Sequence, residues 1–112
     1  MSETPEIEFN NEKMTKEQLL DQAFSRILKI VEVLRSMGFR INDHLINKDI
    51  FASPTACAGV PLVADGSDSI RASYDDYYGD LRIGFTNGLE NPNNPRRQEV
   101  VERLKSEGLW NQ

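Results

Sequence analysis

The sequence predicts an α+β fold, with a long N-terminal amphipathic helix packed on a small antiparallel sheet (hairpin or meander) and a short C-terminal helix. Three patterns carry that expectation. Apolar residues recur at steps of four and three after residue 16. Apolar and polar residues alternate on both sides of a tyrosine- and aspartate-rich stretch near 75–80, and an Asn-Pro pair at 94–95 opens a second helical pattern.

The first helix is expected over 16–37. Thr15 precedes Gln18 by the spacing of a capping box, and Leu20, Phe24, Ile27, Val31 and Leu34 form the stripe that follows. Gly38 supplies the C-terminal stop, and Arg35 suits the negative end of the helix dipole. Leu19, Ala23, Leu28, Ile30, Val33 and Met37 widen the apolar surface beyond one face. A helix of about 22 residues spans roughly 33 Å, more than the radius of a compact domain of this length. Two arrangements follow: a homodimer with Ile30, Val33 and Met37 at its interface, or a central helix wrapped by its own sheet.

Ahead of the helix, residues 1–13 carry Glu3, Glu6, Glu8 and Glu12, the composition of a flexible acidic leader to one globular domain over 14–112. Within it, Glu6-Ile7-Glu8-Phe9 has strand periodicity, so it reads either as a frayed tail or as a segment that orders on a sheet edge. After the helix, a short strand is expected near 39–42. Val60-Pro61-Leu62-Val63 suits an edge strand only, because proline has no N–H for the ladder. Asp65-Gly66-Ser67-Asp68-Ser69 reads as a turn.

The hairpin pattern sets Ile70, Ala72 and Tyr74 against Leu81, Ile83 and Phe85. With Gly79-Asp80 as a two-residue type II′ turn, Tyr78 faces Leu81, Tyr74 faces Phe85, and Tyr77 opposes Arg82 on the polar face near Asp75 and Arg71. That register also sets Asp76 against Ile83, a flaw that a longer loop over 75–80 removes. Asn87-Gly88 is a second turn signal, compatible with a third strand. The last helix begins with Asn94 as N-cap and Pro95 in its first turn, buries Val100, Val101 and Leu104, and runs to about Glu107 before Gly108; Leu109 and Trp110 follow.

Composition narrows the function classes. The 18 acidic residues outnumber 13 basic ones, for a net charge of -5, which argues against general nucleic-acid binding. Apolar runs are far too short to cross a bilayer, and mean hydropathy is -0.53, so a membrane role is not expected. The start resembles no signal peptide, and a lone cysteine suits a reducing compartment, so the expected location is cytoplasmic. Cys57, between Ala56 and Ala58, is expected to be a small packed or half-packed residue and not a reactive thiol.

No catalytic, metal or cofactor pattern emerges. His44 is the only histidine, and one histidine with one cysteine does not make a zinc site. Asp65, Asp68, Asp75, Asp76 and Asp80 match no EF-hand spacing and read as turn formers. No nucleophile elbow or phosphate-binding glycine loop is present. An enzyme is therefore not the expectation.

Two constellations remain. Tyr77, Tyr78, Arg82 and Trp110 are the candidate partner-binding residues, since tyrosine, tryptophan and arginine are enriched at interface hot spots. They suggest a regulator or inhibitor that binds a larger macromolecule as a homo-oligomer. Arg96 and Arg97 form the second, because cations in a first helical turn oppose the dipole unless something negative lies near. A nucleotide or other phosphorylated ligand, held with Asn94 and Arg71, would supply it; so would salt bridges to Glu90 or the hairpin aspartates.

Overall fold

The computed structural model describes residues 15–64 and 69–110. The leader over 1–13 and most of the 65–69 turn lie outside them. Helix α1 spans Lys16–Ser36, and both halves of its capping box form. Gln18 N–H donates to Thr15 Oγ1 at 3.1 Å, and Thr15 N–H donates to Gln18 Oε1 at 3.0 Å. At the other end Gly38 takes φ +95°, which lets Phe39 N–H reach back to the Leu34 carbonyl at 3.1 Å. The helix thus closes on carbonyls of its last turn: Leu34 accepts from both Met37 and Phe39, and Arg35 from Gly38.

After α1 the chain makes a single bridge, Ile41 with Val63, where a strand over 39–42 was expected. Asn42 holds that bridge in place, its N–H donating to the Leu62 carbonyl at 2.9 Å. Its side-chain amide donates to the carbonyls of Pro61 and Val63 at 3.2 and 3.1 Å, and a 3-10 turn at Asp43–Leu45 follows immediately. Helix α2 (Lys48–Ala52) buries Phe51, and a second 3-10 turn, Pro54–Cys57, buries Ala56.

The antiparallel sheet has the order β1-β2-β3, with β1 Val60–Pro61, β2 Ile70–Asp75 and β3 Asp80–Phe85. Pro61 sits on the outer strand, as its missing N–H requires. The third strand therefore precedes the hairpin. Asn87-Gly88 begins a 3-10 turn, Asn87–Glu90, that buries Leu89 instead of turning into another strand.

The tight-turn hairpin register is corrected. Tyr74 pairs with Leu81, Ile70 with Phe85, and Asp75 with Asp80, leaving 76–79 as a four-residue loop. Asp76 thereby leaves the apolar face, and the buried set becomes Ile70, Ala72, Tyr74, Leu81 and Ile83. Arg82 now pairs with Ser73, so the expected Tyr77–Arg82 opposition does not exist.

One core joins these elements. The buried face of α1 (Ala23, Ile27, Ile30, Val31, Leu34) belongs to the same cluster as the inner face of the sheet and Val100 and Leu104 of helix α3, Pro95–Ser106. Ile30 is fully buried and Val33 nearly so within one chain, which corrects their expected place at an intermolecular interface; Met37 is half-buried. Helices α2 and α3 pack directly on α1, and the inner face of the sheet shares the same core. What α1 leaves exposed is Leu28. Helix α3 ends like α1: Gly108 takes φ +73°, Leu109 N–H reaches the Leu104 carbonyl at 2.8 Å, and the Leu109 side chain returns to the core.

Candidate functional site

The hairpin loop is built from the backbone outward. Asp75 Oδ1 accepts the Tyr77 N–H at 2.9 Å, and the Asp75 carbonyl accepts the Gly79 N–H at 2.8 Å. Aspartate is suited to this because its short side chain can bond a backbone amide two residues on. Gly79 takes φ +69°, and a Cβ there would meet the Leu19 side chain at 3.0 Å, so the loop rests against the start of α1. Glycine is required on both counts.

This scaffold holds Tyr77 and Tyr78 outward, 72% and 73% exposed. Their rings meet edge to face with centroids 4.7 Å apart. That geometry lets each ring stabilise the other's position without burying either. Tyr74, by contrast, is 1% exposed and belongs to the core.

At the base of the loop lies a groove of about 380 Å³ lined by Cys57, Ser73, Tyr74, Asp75, Tyr78, Asp80 and Arg82. Arg82 Nε donates to Asp80 Oδ2 at 3.0 Å along one wall. Cys57 is exposed there, which corrects the expectation that it is packed or half-packed. The 3-10 turn explains the exchange: Ser53 Oγ caps the Thr55 N–H at 3.3 Å, and the resulting turn points Ala56 inward and the next residue out. The Tyr74 hydroxyl is buried with no hydrogen-bond partner. Burial, then the charges of Asp76 and Asp75, push the Tyr74 phenol above its ordinary range.

Trp110 is not part of this group. It packs 6.0 Å from the ring of Phe85, at the opposite end of β3 from the loop, roughly 17 Å away along the strand. Arg97 lies over the same Phe85 ring at 4.8 Å. The sequence offered no spacing from which either contact could be read.

The paired arginines are held by carbonyls and rings. Arg97 Nη1 donates to the carbonyls of Glu90 and Leu89 at 2.7 and 3.3 Å. Arg96 donates to the Met37 carbonyl at 3.0 Å, lies 4.3 Å over the Phe39 ring, and approaches Glu99 at 3.7 Å. The expected salt bridges to Glu90 or the hairpin aspartates are replaced by backbone acceptors, with Glu90 contributing its carbonyl. Asn94 is also committed: Oδ1 caps Arg96 N–H at 2.8 Å and Nδ2 donates to the Gly88 carbonyl at 2.9 Å. Arg71 donates to the Gly59 carbonyl at 2.7 Å on the β1 side of the sheet, whereas Arg96 and Arg97 reach the end of α1 and the 87–90 turn. The four residues do not converge.

His44 is exposed in the Asp43–Leu45 turn. Among the described residues no group of three or more His, Cys, Asp or Glu is placed to hold a metal ion, and no helix is long and apolar enough to cross a membrane. No protein-family model, curated protein or solved structure matches the chain.

Proposed function

We propose that the chain is a non-enzymatic interaction protein, a small cytoplasmic regulator or inhibitor that binds a larger protein through the tip of its β2–β3 hairpin. The observation that carries this reading is the pair of tyrosines left largely exposed by a loop whose own backbone is hydrogen-bonded and braced on α1. Large rigid side chains that are already ordered lose little entropy when a partner covers them, which is what makes them effective anchors. Arg82 borders the same groove and serves as the polar rim.

Capture of a phosphorylated ligand is the weaker reading, since Arg96 and Arg97 already donate to carbonyls within the fold. Assembly through Ile30 and Val33 is not proposed, because both are buried in one chain.

The test is a paired capture experiment. The wild-type chain and the Tyr77→Ala/Tyr78→Ala variant are used as bait in the same cell extract, and melting temperatures are measured in parallel. A partner retained by wild type and lost by the variant, at an unfolding free energy unchanged to within about 0.5 kcal/mol, is the expected result. A partner held equally by both places the binding surface elsewhere.

A further inference from the structure

We infer that the partner presents a cationic segment, an arginine or lysine side chain that docks on the tyrosine pair and enters the groove beside it. This rests on the hairpin tip being the binding surface and adds the chemistry of what it binds.

The charges at the tip are unbalanced. Asp75, Asp76 and Asp80 frame Tyr77 and Tyr78 within six residues. Arg82 neutralises Asp80. Among the described residues no lysine or arginine lies within ion-pair distance of Asp75 or Asp76, and Asp76 is exposed. Two carboxylates without an ion-pair partner among the described residues, Asp75, whose Oδ1 accepts the Tyr77 N–H, and the exposed Asp76, thus flank two exposed aromatic faces. An arginine or lysine head group is attracted to both at once, to the ring by its quadrupole and to the carboxylate by its charge. An acidic or phosphorylated segment would meet like charge at Asp75 and Asp76.

The groove supplies the matching space. Its walls include Asp75, Tyr78 and Asp80, the last paired with Arg82 on the same wall, and its volume of about 380 Å³ accommodates one long side chain. The net charge of -5 adds a weaker, longer-range attraction for a basic surface. Elsewhere on the molecule several solvent-facing basic residues are paired with acids, as in Arg35 with Asp43 and Arg103 with Glu107. At the tip, acidic charge at Asp75 and Asp76 with no ion-pair partner among the described residues coincides with exposed aromatic surface.

The experiment selects peptides from a random 12-residue display library on the full wild-type chain, with counter-selection on the Tyr77→Ala/Tyr78→Ala variant. Recovered peptides are then synthesised and their affinity is measured at low and high salt on wild type and on Asp76→Asn. Cys57, the sole cysteine and a groove residue, reports position through its rate of alkylation. The expected result is a tip-dependent set enriched in arginine and lysine. Those peptides should bind about threefold to tenfold more weakly to Asp76→Asn, lose affinity with salt, and slow Cys57 alkylation severalfold. Tip-dependent peptides without that enrichment, or affinities indifferent to Asp76→Asn, overturn the cationic partner while leaving the tip as a binding surface. If no peptide distinguishes wild type from the double variant, both inferences fall. If the tip-dependent basic peptides leave Cys57 alkylation unchanged, entry into the groove is overturned.

Discussion

The first turn of α3 and the tip of the β2–β3 hairpin both place conspicuous polar side chains near the surface, and the fold uses them in opposite ways. At α3, Arg96 and Arg97 reach back to carbonyls at the end of α1 and in the 87–90 turn, and each guanidinium covers an aromatic ring. Their donors hold the fold together. At the tip, the backbone is also hydrogen-bonded, but the side chains of Tyr77 and Tyr78 meet each other edge to face and stay largely exposed. Residues of similar promise in the sequence are therefore separated by what lies within reach of them in space: acceptors and rings around the arginines, solvent around the tyrosines.

The strongest way to break this contrast is to disturb what both regions stand on. Ile30 is fully buried in the core that joins α1 to the sheet. Ile30→Glu should unfold the chain or cost more than about 4 kcal/mol, because a buried carboxylate without a partner is among the most destabilising substitutions. Circular dichroism and denaturant melts read the outcome. A well-folded variant would show that the stripe of α1 faces outward, and the description of the core would have to change.

A smaller effect separates the two regions directly. Arg97→Gln should lose about 1–2 kcal/mol, since it removes hydrogen bonds to two carbonyls and the stacking on Phe85. Adding phosphate or nucleotide should leave the melting temperatures of wild type and variant unmoved. The tyrosine double variant, measured alongside, should stay within about 0.5 kcal/mol of wild type. A phosphate-dependent rise in wild-type stability that Arg97→Gln abolishes would return the α3 turn to the status of a ligand site.

The sequence made one of these regions legible and misled on part of the other. Helix caps are local, so Thr15 with Gln18, Asn94 with Pro95, and the glycines at 38 and 108 marked α1 and α3 to within a residue or two. The hairpin's existence was equally local, because alternation needs only neighbours. Its register was not. The Gly79-Asp80 pair suggested a tight turn, while the fold chose a loop in which Asp75 bonds two backbone amides and Gly79 packs on Leu19, a residue 60 positions away. The conflict between Asp76 and Ile83 was the available warning.

For the functional residues the same rule of reach applies. The exposure of Tyr77 could be anticipated from its polar surroundings; the separation of Trp110 from the tyrosines could not, because it follows from the direction in which Leu109 returns to the core. The exposure of Cys57 depends on a 3-10 turn whose period of three exchanges it with Ala56. Arg96 over Phe39 and Arg97 over Phe85 are tertiary pairs that no sequence spacing announces.

The smallest predicted effect concerns a third arginine, which stands between the two regimes. Arg35, in the last turn of α1, donates to Asp43 at 2.8 Å, but both side chains are about half exposed or more. That hydrogen bond holds the Asp43 carboxyl below its ordinary range, with burial opposing and the Arg35 charge assisting. A carboxyl whose folded pKa is depressed contributes stability above its unfolded pKa of about 3.9 and loses it as pH falls through the lower folded value. The pair should therefore weaken only on the acid side of about pH 4, and salt should weaken it at neutral pH, because exposed charges are screened. Asp43→Asn should flatten that acid limb slightly and leave the melting temperature at pH 7 almost unchanged. A large loss at pH 7 would mean that Arg35 is integrated into the fold as Arg96 and Arg97 are, and that exposure alone does not divide the structural arginines from the surface ones.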